Sequence, residues 1–434
     1  MNLLVTNTHF PQAYSIILAL RPYSTKIVAT MSGRTWLQAK TSQAAHSRYV
    51  DKRCDVPSPE EDWLAGNVLQ ENTANEEAYI SRIEEICRTE KIGTIFPSYD
   101  PDVYVLAKNK QRLEELGVLL VAPDHCTVAA SLDKYESIKA ARRAGFPCPK
   151  TLLPRDVSEL EHVSRGIGPP WVVKPRFTAG SLGTKIVAEP RDLLDAYLAT
   201  SKTHYRPMVQ EFIPGSEKQN FYLVADRESG ILDLMCPRVV RISKRIFRNS
   251  SAACIVSCET PYLAQLQALV RELRWWGGLT VQAKVDARDG TLKLMEVNPR
   301  LGTHLWYRTE SGVNVPYLCF NLAAGRTVSK TETYREGAIL LDPIEDLLGF
   351  SFELLDLIVH KARMVWLGHS PTDEWNPPPP LASMLRQYKN DYMSTRQKIF
   401  SPFLTQLLHD PLPCLLRYYA YLGHLLRGVK DRGK

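Results

Sequence analysis

The stretch Leu292–Gly302, LKLMEVNPRLG, constrains the fold of this chain more than any other. In an extended strand the side chains at i, i+2 and i+4 lie on one face, so Glu296, Asn298 and Arg300 share a side. Pro299 cannot donate to a β-ladder, so the strand is predicted to end there with Arg300 at its mouth. A carboxylate and an amide oxygen suit Mg²⁺, and a guanidinium suits phosphate. A solvated polar rim at a strand end is the alternative interpretation.

The preceding stretch, VQAKVDARDG, predicts a second strand that pairs with this one. The letters ARDG, residues 287–290, are typical of a β-hairpin turn. Gln282 lies on the first strand of that hairpin. We therefore expect Gln282 to face the same cavity as Glu296 and Asn298.

The composition is that of an ordinary globular chain of 434 residues, 44% hydrophobic and 23% charged. This length leaves room for two to four domains. No apolar run approaches the ~20 residues that a membrane span needs. The first twenty residues lack a basic region and are interrupted by polar residues and a proline, so they predict a strand and a helix rather than a signal peptide.

The nine cysteines show no CxxC spacing, which favours reduced thiols in a cytoplasm. Cys254 and Cys258 form a lone CxxxC, and packing explains this pair better than metal binding does. The net charge of +7 is concentrated near the end of the chain, because residues 384–434 contain nine Lys or Arg and three Asp. The main body therefore has no charge signature of a nucleic-acid-binding surface.

The first ~130 residues alternate apolar runs with helical patterns, such as Ile80, Ile83, Ile86 and Cys87 at helical spacing. Strands that alternate with helices predict a parallel sheet, and such sheets bind ligands beyond the carboxyl ends of their strands. The PSYDPD segment, residues 97–102, is a candidate substrate loop, with a simple turn as the alternative. No GxGxxG follows the first strand, so a dinucleotide fingerprint is absent from the sequence.

A second unit contains two further signals. In VVKPRFTAGSLGTKIV, small residues leave backbone N–H groups free to face an anion, and Lys174 at the strand end is placed to reach the same phosphates. A hairpin turn is the alternative. In VQEFIPGSE, Ile213 could form the apolar wall of a base site and Glu217 could take ribose hydroxyls, with a surface turn as the alternative.

Together and in this order, these segments resemble the ATP-grasp superfamily over roughly residues 1–325. The resemblance is to the synthetase domains of carbamoyl phosphate synthetase large chains, with biotin carboxylase as a looser relative. Gln282 followed fourteen residues later by EVNPR carries it most strongly. It implies an α/β protein in which a Rossmann-like pre-ATP-grasp domain (1–128) precedes an ATP-grasp fold (129–328). That fold would comprise a lid subdomain, about 150–210, and an antiparallel-sheet subdomain, followed by a core extension (329–369) and a mostly helical C-terminal tail.

The resemblance also implies roles for individual residues. Lys174 and Arg300 correspond to catalytic cations, and Gln282, Glu296 and Asn298 correspond to Mg²⁺ ligands, for which Mn²⁺ is an alternative metal. The positions that correspond to ATP contacts are Lys134, Lys174, Thr178, Ala179, Gly180, Ser181, Gly183, Glu211, Phe212, Ile213 and Glu217. Thr280 departs from the pattern, because the synthetase domains carry Asn there.

The activity that the resemblance implies is an ADP-forming ligase. It would activate a carboxylate as an acyl phosphate for attack by an amine, a thiol or another nucleophile. Arg238, Arg241 and Arg308 are candidates to bind the substrate carboxylate, with solvated arginines as the alternative. The rival hypothesis is a nucleotide-binding scaffold whose catalysis has lapsed and whose basic tail recruits a partner or a membrane. A homodimer through the first domain is a further expectation.

The end of the chain is predicted to be a separate unit. SPTDEWNPPPPLAS, residues 370–383, is typical of a stiff Pro-rich linker. Residues 384–434 mix basic residues with Leu and Tyr, as an interfacial helix at the inner membrane surface would. A helix docked on the main body is the alternative interpretation.

Overall fold

The computed structural model of the chain describes residues 1–32, 42–64, 71–178, 182–243, 250–331, 334–367, 380–394, 396–401, 406–417 and 419. Three β-sheets and the helices packed around them make up this part of the molecule. A five-stranded parallel sheet comes first along the chain. A four-stranded antiparallel sheet follows, and an eight-stranded sheet contains the later strands.

The first sheet has the strand order β3-β2-β1-β4-β5, and all its pairs are parallel. Its strands are β1 Asn2–Val5, β2 Lys26–Met31, β3 Lys52–Asp55, β4 Thr94–Phe96 and β5 Leu119–Leu120. The inner strands are apolar and buried because helices cover both faces of a parallel sheet. This is the parallel sheet that the alternating pattern predicts.

The helix Ala74–Glu90 shows how local sequence determines an element of this unit. Thr73 caps it by accepting from the backbone of Glu76, whose carboxylate accepts from the backbone of Thr73 in return. Ile80, Ile83, Ile86 and Cys87 are all buried, so the predicted apolar face is confirmed.

The α-helices also follow in chain order. They are Pro11–Leu20, Glu60–Leu64, Ala74–Glu90, Asp100–Lys108, Lys110–Glu115, His125–Leu132, Lys134–Arg143, Leu160–Gly166, Pro190–Ser201, Leu263–Leu273, Leu305–Glu310, Val315–Ala323, Pro343–Leu367 and Leu381–Met393. Residues 411–417 are helical as well. None of the described helices combines the length and the apolar character needed to cross a membrane.

The second sheet has the order β6-β9-β7-β8 and is antiparallel. Its strands are β6 Thr151–Leu152, β7 Trp171–Lys174, β8 Lys185–Val187 and β9 Met208–Glu211. Trp171, Val173 and Val209 form its small core with the helices Leu160–Gly166 and Pro190–Ser201. We refer to residues 151–211 as the lid sheet.

The third sheet has the order β15-β14-β10-β12-β13-β16-β17, with β11 paired to β10. Its strands are β10 Lys218–Ala225, β11 Ile231–Met235, β12 Arg238–Ser243, β13 Ser250–Ile255, β14 Gly277–Val285, β15 Leu292–Asn298, β16 Ile339–Leu341 and β17 Lys398–Phe400. The strands β14 and β15 form the predicted hairpin. One face of the sheet is apolar and packs into the main core, through Phe221, Val281 and Val297 among others.

The C-terminal segment is joined to the body rather than separate from it. The strand β17 pairs in parallel with β16 of the third sheet, within a segment that was predicted to be mostly helical. The carboxylate of Asp410 accepts from the hydroxyl groups of Tyr14 and Ser47 in the first unit. Most of the predicted linker, residues 370–379, lies outside the described residues, and the helix Leu381–Met393 begins where that linker was expected to end.

Candidate active site

A row of polar side chains crosses three neighbouring strands of the third sheet. Asn220 on β10 lies opposite Gln282 on β14, which lies opposite Glu296 on β15. Residues directly opposite in antiparallel strands project from the same face. The structure therefore brings Gln282 and Glu296 together as the sequence predicts. Asn220 was not among the predicted site residues. The sequence EKQNFYLV, residues 217–224, could have indicated it, because Asn220 and Tyr222 alternate there with buried apolar residues.

The next row along the same face contains Tyr222, Thr280 and Asn298. Thr280 Oγ1 donates to the backbone carbonyl of Arg300 at 3.1 Å. The hydroxyl thus holds the end of β15 in place. Thr280, which stands where the synthetase domains carry Asn, therefore still provides a hydrogen-bonding group. Asn298, one step from Glu296 on the same face, donates to its carboxylate.

Glu296 is surrounded by positive charge. Desolvation would raise the pKa of its carboxyl group, but the charges of Lys174 and Lys134 outweigh that effect. The hydrogen bond from Asn298 and the charge of Arg300 act in the same direction. The pKa of Glu296 is therefore lowered, and the group is a carboxylate at neutral pH.

Lys174, at the end of β7 in the lid sheet, points across to the third sheet. Its Nζ donates to the carbonyl of Met295 at 3.4 Å. Met295 has no partner residue on β14, because the register shifts between Gln282 and Ala283. Desolvation lowers the pKa of Lys174 to about 8, and nearby lysines add to this effect while Glu296 opposes it.

Lys134 approaches the same place from the start of the helix Lys134–Arg143. Its Nζ donates to the carbonyl of Thr178, at the beginning of the predicted glycine-rich loop. Asp133 caps this helix by accepting from the backbone N–H of Tyr135 at 2.9 Å, and it also binds the guanidinium of Arg176. These contacts tie the helix start to the chain that leaves β7.

The predicted phosphate loop is described only at its two ends. Ala179, Gly180 and Ser181 lie outside the described residues. Thr178 is buried, and its hydroxyl has no hydrogen-bond partner among the described residues. Gly183 has φ +70°, and a Cβ there would lie 2.9 Å from Pro175 Cγ, so the close approach requires glycine.

The predicted adenine segment connects β9 with β10. The Glu211 carboxylate accepts from the backbone of Lys150 at 3.0 Å and from Arg288 at 2.5 Å. Desolvation would raise the pKa of Glu211, but these hydrogen bonds and the charge of Lys293 lower it. Because this side chain is engaged, its backbone remains the part that fits the predicted role at adenine.

Ile213 and Phe212 stand beside a lysine that sequence analysis missed. Ile213 is buried, and its carbonyl accepts from Lys284 Nζ at 2.5 Å. The same ammonium lies 5.3 Å from the centre of the Phe212 ring. Glu217, predicted at the ribose, is exposed and its role stays a prediction.

Lys218 and Lys284 lie directly opposite each other on β10 and β14. Like charges in this position repel each other. Desolvation and the charge of Lys218 lower the pKa of Lys284 to about 8, although Asp286 opposes the shift. Period-2 spacing in the sequence places Lys218 on the face of Asn220 and Lys284 on the face of Gln282, but the pairing of the two lysines depends on β10 lying beside β14.

We call Lys134, Lys174, Lys218 and Lys284 the lysine cluster. Its members come from a helix start, the lid sheet and two strands of the third sheet. Burial lowers the pKa of two members, Lys174 and Lys284, to about 8, and the charges of neighbouring lysines add to that shift, so the cluster holds an excess of positive charge. An anion of high charge, such as a polyphosphate, would relieve that excess.

Arg300 extends the site toward the first sheet. Its Nε donates to the Asp100 carboxylate at 2.8 Å, which brings the predicted PSYDPD loop to the site. Desolvation would lower the pKa of Arg300, but Asp100 raises it. Asp102 of the same loop turns away and accepts from Asn7 and Tyr79, and burial raises its pKa to about 6.

Two of the three arginines proposed for the substrate carboxylate are engaged elsewhere. Arg241 is buried and forms an ion pair with Asp346 and Asp391. Arg308 is buried against Asp233. The hypothesis that they bind substrate is not supported, because internal carboxylates already pair with them. Arg238 is exposed.

The donors at the metal position are one carboxylate and amide oxygens. Among the described residues, no three His, Cys, Asp or Glu side chains gather as a metal site. Mg²⁺ is commonly held by one or two carboxylates together with substrate phosphates. Glu296, with Gln282 and Asn298 beside it, fits that pattern and would hold Mg²⁺ only in company with phosphate oxygens.

The fold and this site define an α/β protein in which the lysine cluster and Glu296 lie between the lid sheet and a larger, mostly antiparallel sheet. Residues 133–331 match the family model described as carbamoyl-phosphate synthase L chain, ATP binding domain, and residues 64–121 match PylC-like, N-terminal domain. Residues 133–331, a little under half of the chain, thus match an ATP-binding domain of the ATP-grasp type. The resemblance seen in the sequence is confirmed, and so is the fold class.

Curated relatives are distant and much longer than this chain. Pyruvate carboxylase of Komagataella pastoris is 25% identical over 273 residues, which cover 59% of this chain and 22% of the relative. The chain spans about a fifth of the length of the curated relatives it matches.

Solved structures share the fold. The biotin carboxylase domain dimer of Hydrogenobacter thermophilus 2-oxoglutarate carboxylase, in complex with MgADP and bicarbonate, has a TM-score of 0.59 at 19% identity, and the match covers 78% of this chain and 73% of that one. The L-amino acid ligase of Bacillus licheniformis has a TM-score of 0.55 at 15% identity, with 78% of each chain covered.

Proposed function

We propose that the chain is an ADP-forming ligase that activates a carboxylate as an acyl phosphate for attack by an amine, a thiol or another nucleophile. The observation that carries the proposal is the lysine cluster beside Glu296. Four cations and one carboxylate suit a metal-bound nucleoside triphosphate better than they suit a singly charged ligand. The match of residues 133–331 to an ATP-binding domain of the ATP-grasp type supports the same activity.

The proposed roles follow from position. Glu296, Gln282 and Asn298 would hold Mg²⁺, or Mn²⁺ in its place, and the metal would neutralise charge on the phosphates. Lys174 and Arg300 would stabilise the charge that develops as the γ-phosphoryl group is transferred. Lys134 would contact phosphate and hold the entry of the loop that begins at Thr178.

The remaining nucleotide contacts are also proposals. The backbone at Glu211 and Ile213 would meet the adenine edge, with Phe212 and Lys284 beside it. Glu217 would accept from the ribose hydroxyls. The glycine-rich loop, including Ala179, Gly180, Ser181 and Gly183, would close over the phosphates and exclude water from the acyl phosphate.

The proposed reaction balances without a protein nucleophile. A carboxylate oxygen of the substrate bonds to the γ-phosphorus of ATP, and the bond to the bridging oxygen of ADP breaks. The acceptor then attacks the carbonyl carbon, the bond from that carbon to the phosphate oxygen breaks, and phosphate leaves as the acceptor loses its proton. One structural neighbour, the L-amino acid ligase of Bacillus licheniformis, is by its name a ligase of amino acids.

The test is an assay of ADP and phosphate with Mg-ATP and pooled carboxylates and amines. Wild type is expected to release ADP with at least one pool. Glu296→Gln removes the charge that Mg²⁺ needs and is expected to reduce the rate at least 100-fold. Glu228→Gln, an exposed change in the turn between β10 and β11, is the matched control.

The rival function, a nucleotide-binding scaffold, makes a different prediction in the same assay. It requires Mg-ATP binding with no ADP from any pool. Release of AMP and pyrophosphate would instead exclude the acyl-phosphate route and point to an adenylating enzyme.

We also propose the domain division 1–128, 129–328 and 329–369. Sheet membership supports its first boundary, because β1–β5 end at residue 120 and β10–β15 span 218–298, whereas β16 at 339–341 continues the third sheet across the second boundary. A cytoplasmic location is proposed from the thiols, since all nine cysteines are described and none forms a disulfide. A homodimer is proposed by analogy with the dimer named in one structural neighbour. Light scattering on the purified chain would decide the assembly.

We also propose, as a second activity, that the basic tail of residues 384–434 binds a membrane surface. The described part favours docking on the body, because Met384 and Cys414 are buried. Co-sedimentation with anionic vesicles that is lost when residues 420–434 are removed would support the membrane contact. Absence of binding at low salt would exclude it.

A further inference from the structure

A small cavity lies where the first sheet meets the end of the β14–β15 hairpin. Phe96 at the carboxyl end of β4 and Val121 just after β5 form one side of it. Arg300 and Leu301, which follow β15, form the other side. The carboxyl ends of parallel strands are the usual ligand-binding edge of such a sheet. Arg300 thus belongs both to the wall of this cavity and to the candidate site.

Most of the cavity wall is apolar. Val103, Val121 and Leu301 are buried aliphatic residues that line it. Arg300 is the one charged side chain among its lining residues in the described part of the chain. A ligand group with a second charge would thus find no partner here, and desolvating that charge would oppose its entry.

Two hydrogen-bond donors line the same cavity. Arg300 is paired with Asp100 through Nε, and its side chain is still 17% exposed. Trp275 is only 2% exposed, and its indole N–H has no hydrogen-bond partner among the described residues. A buried donor without a partner is unfavourable, and an oxygen of a bound carboxylate would satisfy it.

The size of the cavity limits what can enter. Its volume of about 30 Å³ leaves room for roughly two water molecules. A chain of two or three carbon atoms is the matching apolar group. A phenyl ring or a long acyl chain would require the walls to move apart.

We propose that this cavity binds the side chain of the carboxylate substrate, and that this substrate is a monocarboxylic acid with a short apolar chain. The inference rests on the proposed ligase function and names its substrate class. The carboxylate lies against Arg300, where it meets the γ-phosphoryl group, and the carbon chain enters between Val103 and Val121.

The test uses hydroxylamine as the acceptor, so that the natural nucleophile need not be known. Its nitrogen attacks the acyl phosphate, phosphate leaves, and a hydroxamate forms with loss of a proton. ADP and hydroxamate are measured with acetate, propionate, butyrate, pentanoate, phenylacetate, succinate and alanine. Propionate and butyrate are expected to react at least tenfold faster than phenylacetate, succinate and alanine.

A pair of valines on one helix supplies matched variants. Val103 lines the cavity, and Val105, two residues along the helix Asp100–Lys108, is buried but does not line it. Val103→Ala is expected to raise the rate with pentanoate relative to propionate tenfold or more, since one methylene in an apolar pocket is worth about that factor. Val105→Ala is expected to leave the ratio unchanged. A gain with the longer acid cannot arise from poor folding.

Binding is measured separately by saturation-transfer NMR with butyrate. Suppose that saturation transfer to the methyl protons is observed and weakens in Arg300→Lys, but no acid yields ADP. That result would support binding in the cavity and overturn the ligase function. Two results would overturn the proposed binding of substrate in the cavity and leave the ligase function standing. One is ADP formation only with acids that show no saturation transfer to a methyl group. The other is a pentanoate-to-propionate rate ratio that Val103→Ala does not change. Neither binding nor turnover with any acid would overturn both.

Discussion

Lys174 ends a strand of the lid sheet, yet its ammonium donates to the carbonyl of Met295 in the third sheet at 3.4 Å. The carbonyl lies at a break in the β14–β15 register, one residue before Glu296. The register shift thus leaves the carbonyl of Met295 free to accept from Lys174 of the lid sheet, next to Glu296, the proposed metal ligand. The position of Lys174 relative to Glu296 is the relationship on which the proposed phosphate chemistry depends.

The lowered pKa of Lys174 predicts a pH-dependent stability. Its pKa is about 8 in the folded chain and about 10.4 in an unfolded chain, so the unfolded state binds more protons between these values. Stability from this group therefore rises with pH across that window. Lys174→Met removes the effect, so the melting temperature of wild type minus that of the variant should increase from pH 8 to pH 10.

The control for this prediction is the variant Lys185→Met, because Lys185 is an exposed lysine in the same lid sheet. Its melting difference from wild type should not change between the two pH values. A flat difference for Lys174→Met as well would show that the site carries no unfavourable charge on that ammonium.

Gly183→Ala tests the geometry of the loop end. Alanine in the left-handed region costs about 1 kcal/mol in any context. At Gly183 its Cβ also meets Pro175 and His204, so a further loss of stability and a several-fold weaker affinity for Mg-ADP are expected. Gly117→Ala is matched, because Gly117 has φ +71° and open space around the added Cβ. Thermal melting and calorimetric titration measure the losses of stability and of Mg-ADP affinity. Equal losses in the two variants would refute the contact of the Gly183→Ala Cβ with Pro175 and His204.

Arg241 is predicted to stabilise the fold and to take no part in binding. Arg241→Met leaves the carboxylates of Asp346 and Asp391 without their buried partner, which should cost about 3–5 kcal/mol. Denaturant unfolding measures that loss, and Mg-ADP affinity should stay within twofold of wild type. Arg238→Met, at an exposed position, should change neither value. A selective loss of turnover in a stable Arg241 variant would restore its role at the substrate.

Arg300→Lys should separate chemistry from binding. Lysine keeps the charge but lacks the planar pair of donors that suits a phosphoryl group or carboxylate. The rate of ADP formation is expected to fall about 100-fold, while Mg-ADP affinity changes less than threefold. Arg326→Lys, an exposed change, provides the comparison. Equal losses in rate and affinity would mean that Arg300 only binds.

The local parts of the fold could be predicted from the sequence because they depend on near neighbours. The ARDG turn fixes the register near the closed end of the hairpin, where Ala283 lies opposite Leu294, and the register shift that follows places Gln282 opposite Glu296. The capped helix after Thr73 has both its cap and its apolar face in the sequence. The parallel sheet likewise follows from the alternation of apolar runs and helical patterns, whereas the lid subdomain was expected only from the family resemblance.

The remaining features depend on contacts between distant segments. The pairing of Lys218 with Lys284 requires knowing that β10 neighbours β14, which no local pattern states. Arg241 could be assigned to Asp346 and Asp391 only after residues 105 and 150 positions away were placed beside it. The β17 strand was missed for the same reason, since its three residues gain their partners from β16.

The central claim is that a carboxylate oxygen of the substrate is transferred to phosphate. The most direct measurement uses an acid labelled with ¹⁸O in its carboxylate, taken from the pool that yields ADP, and follows the mass of the released phosphate. An acyl-phosphate route predicts one ¹⁸O atom in each phosphate released by condensation. Label in AMP, or phosphate that carries none, would contradict the proposed mechanism.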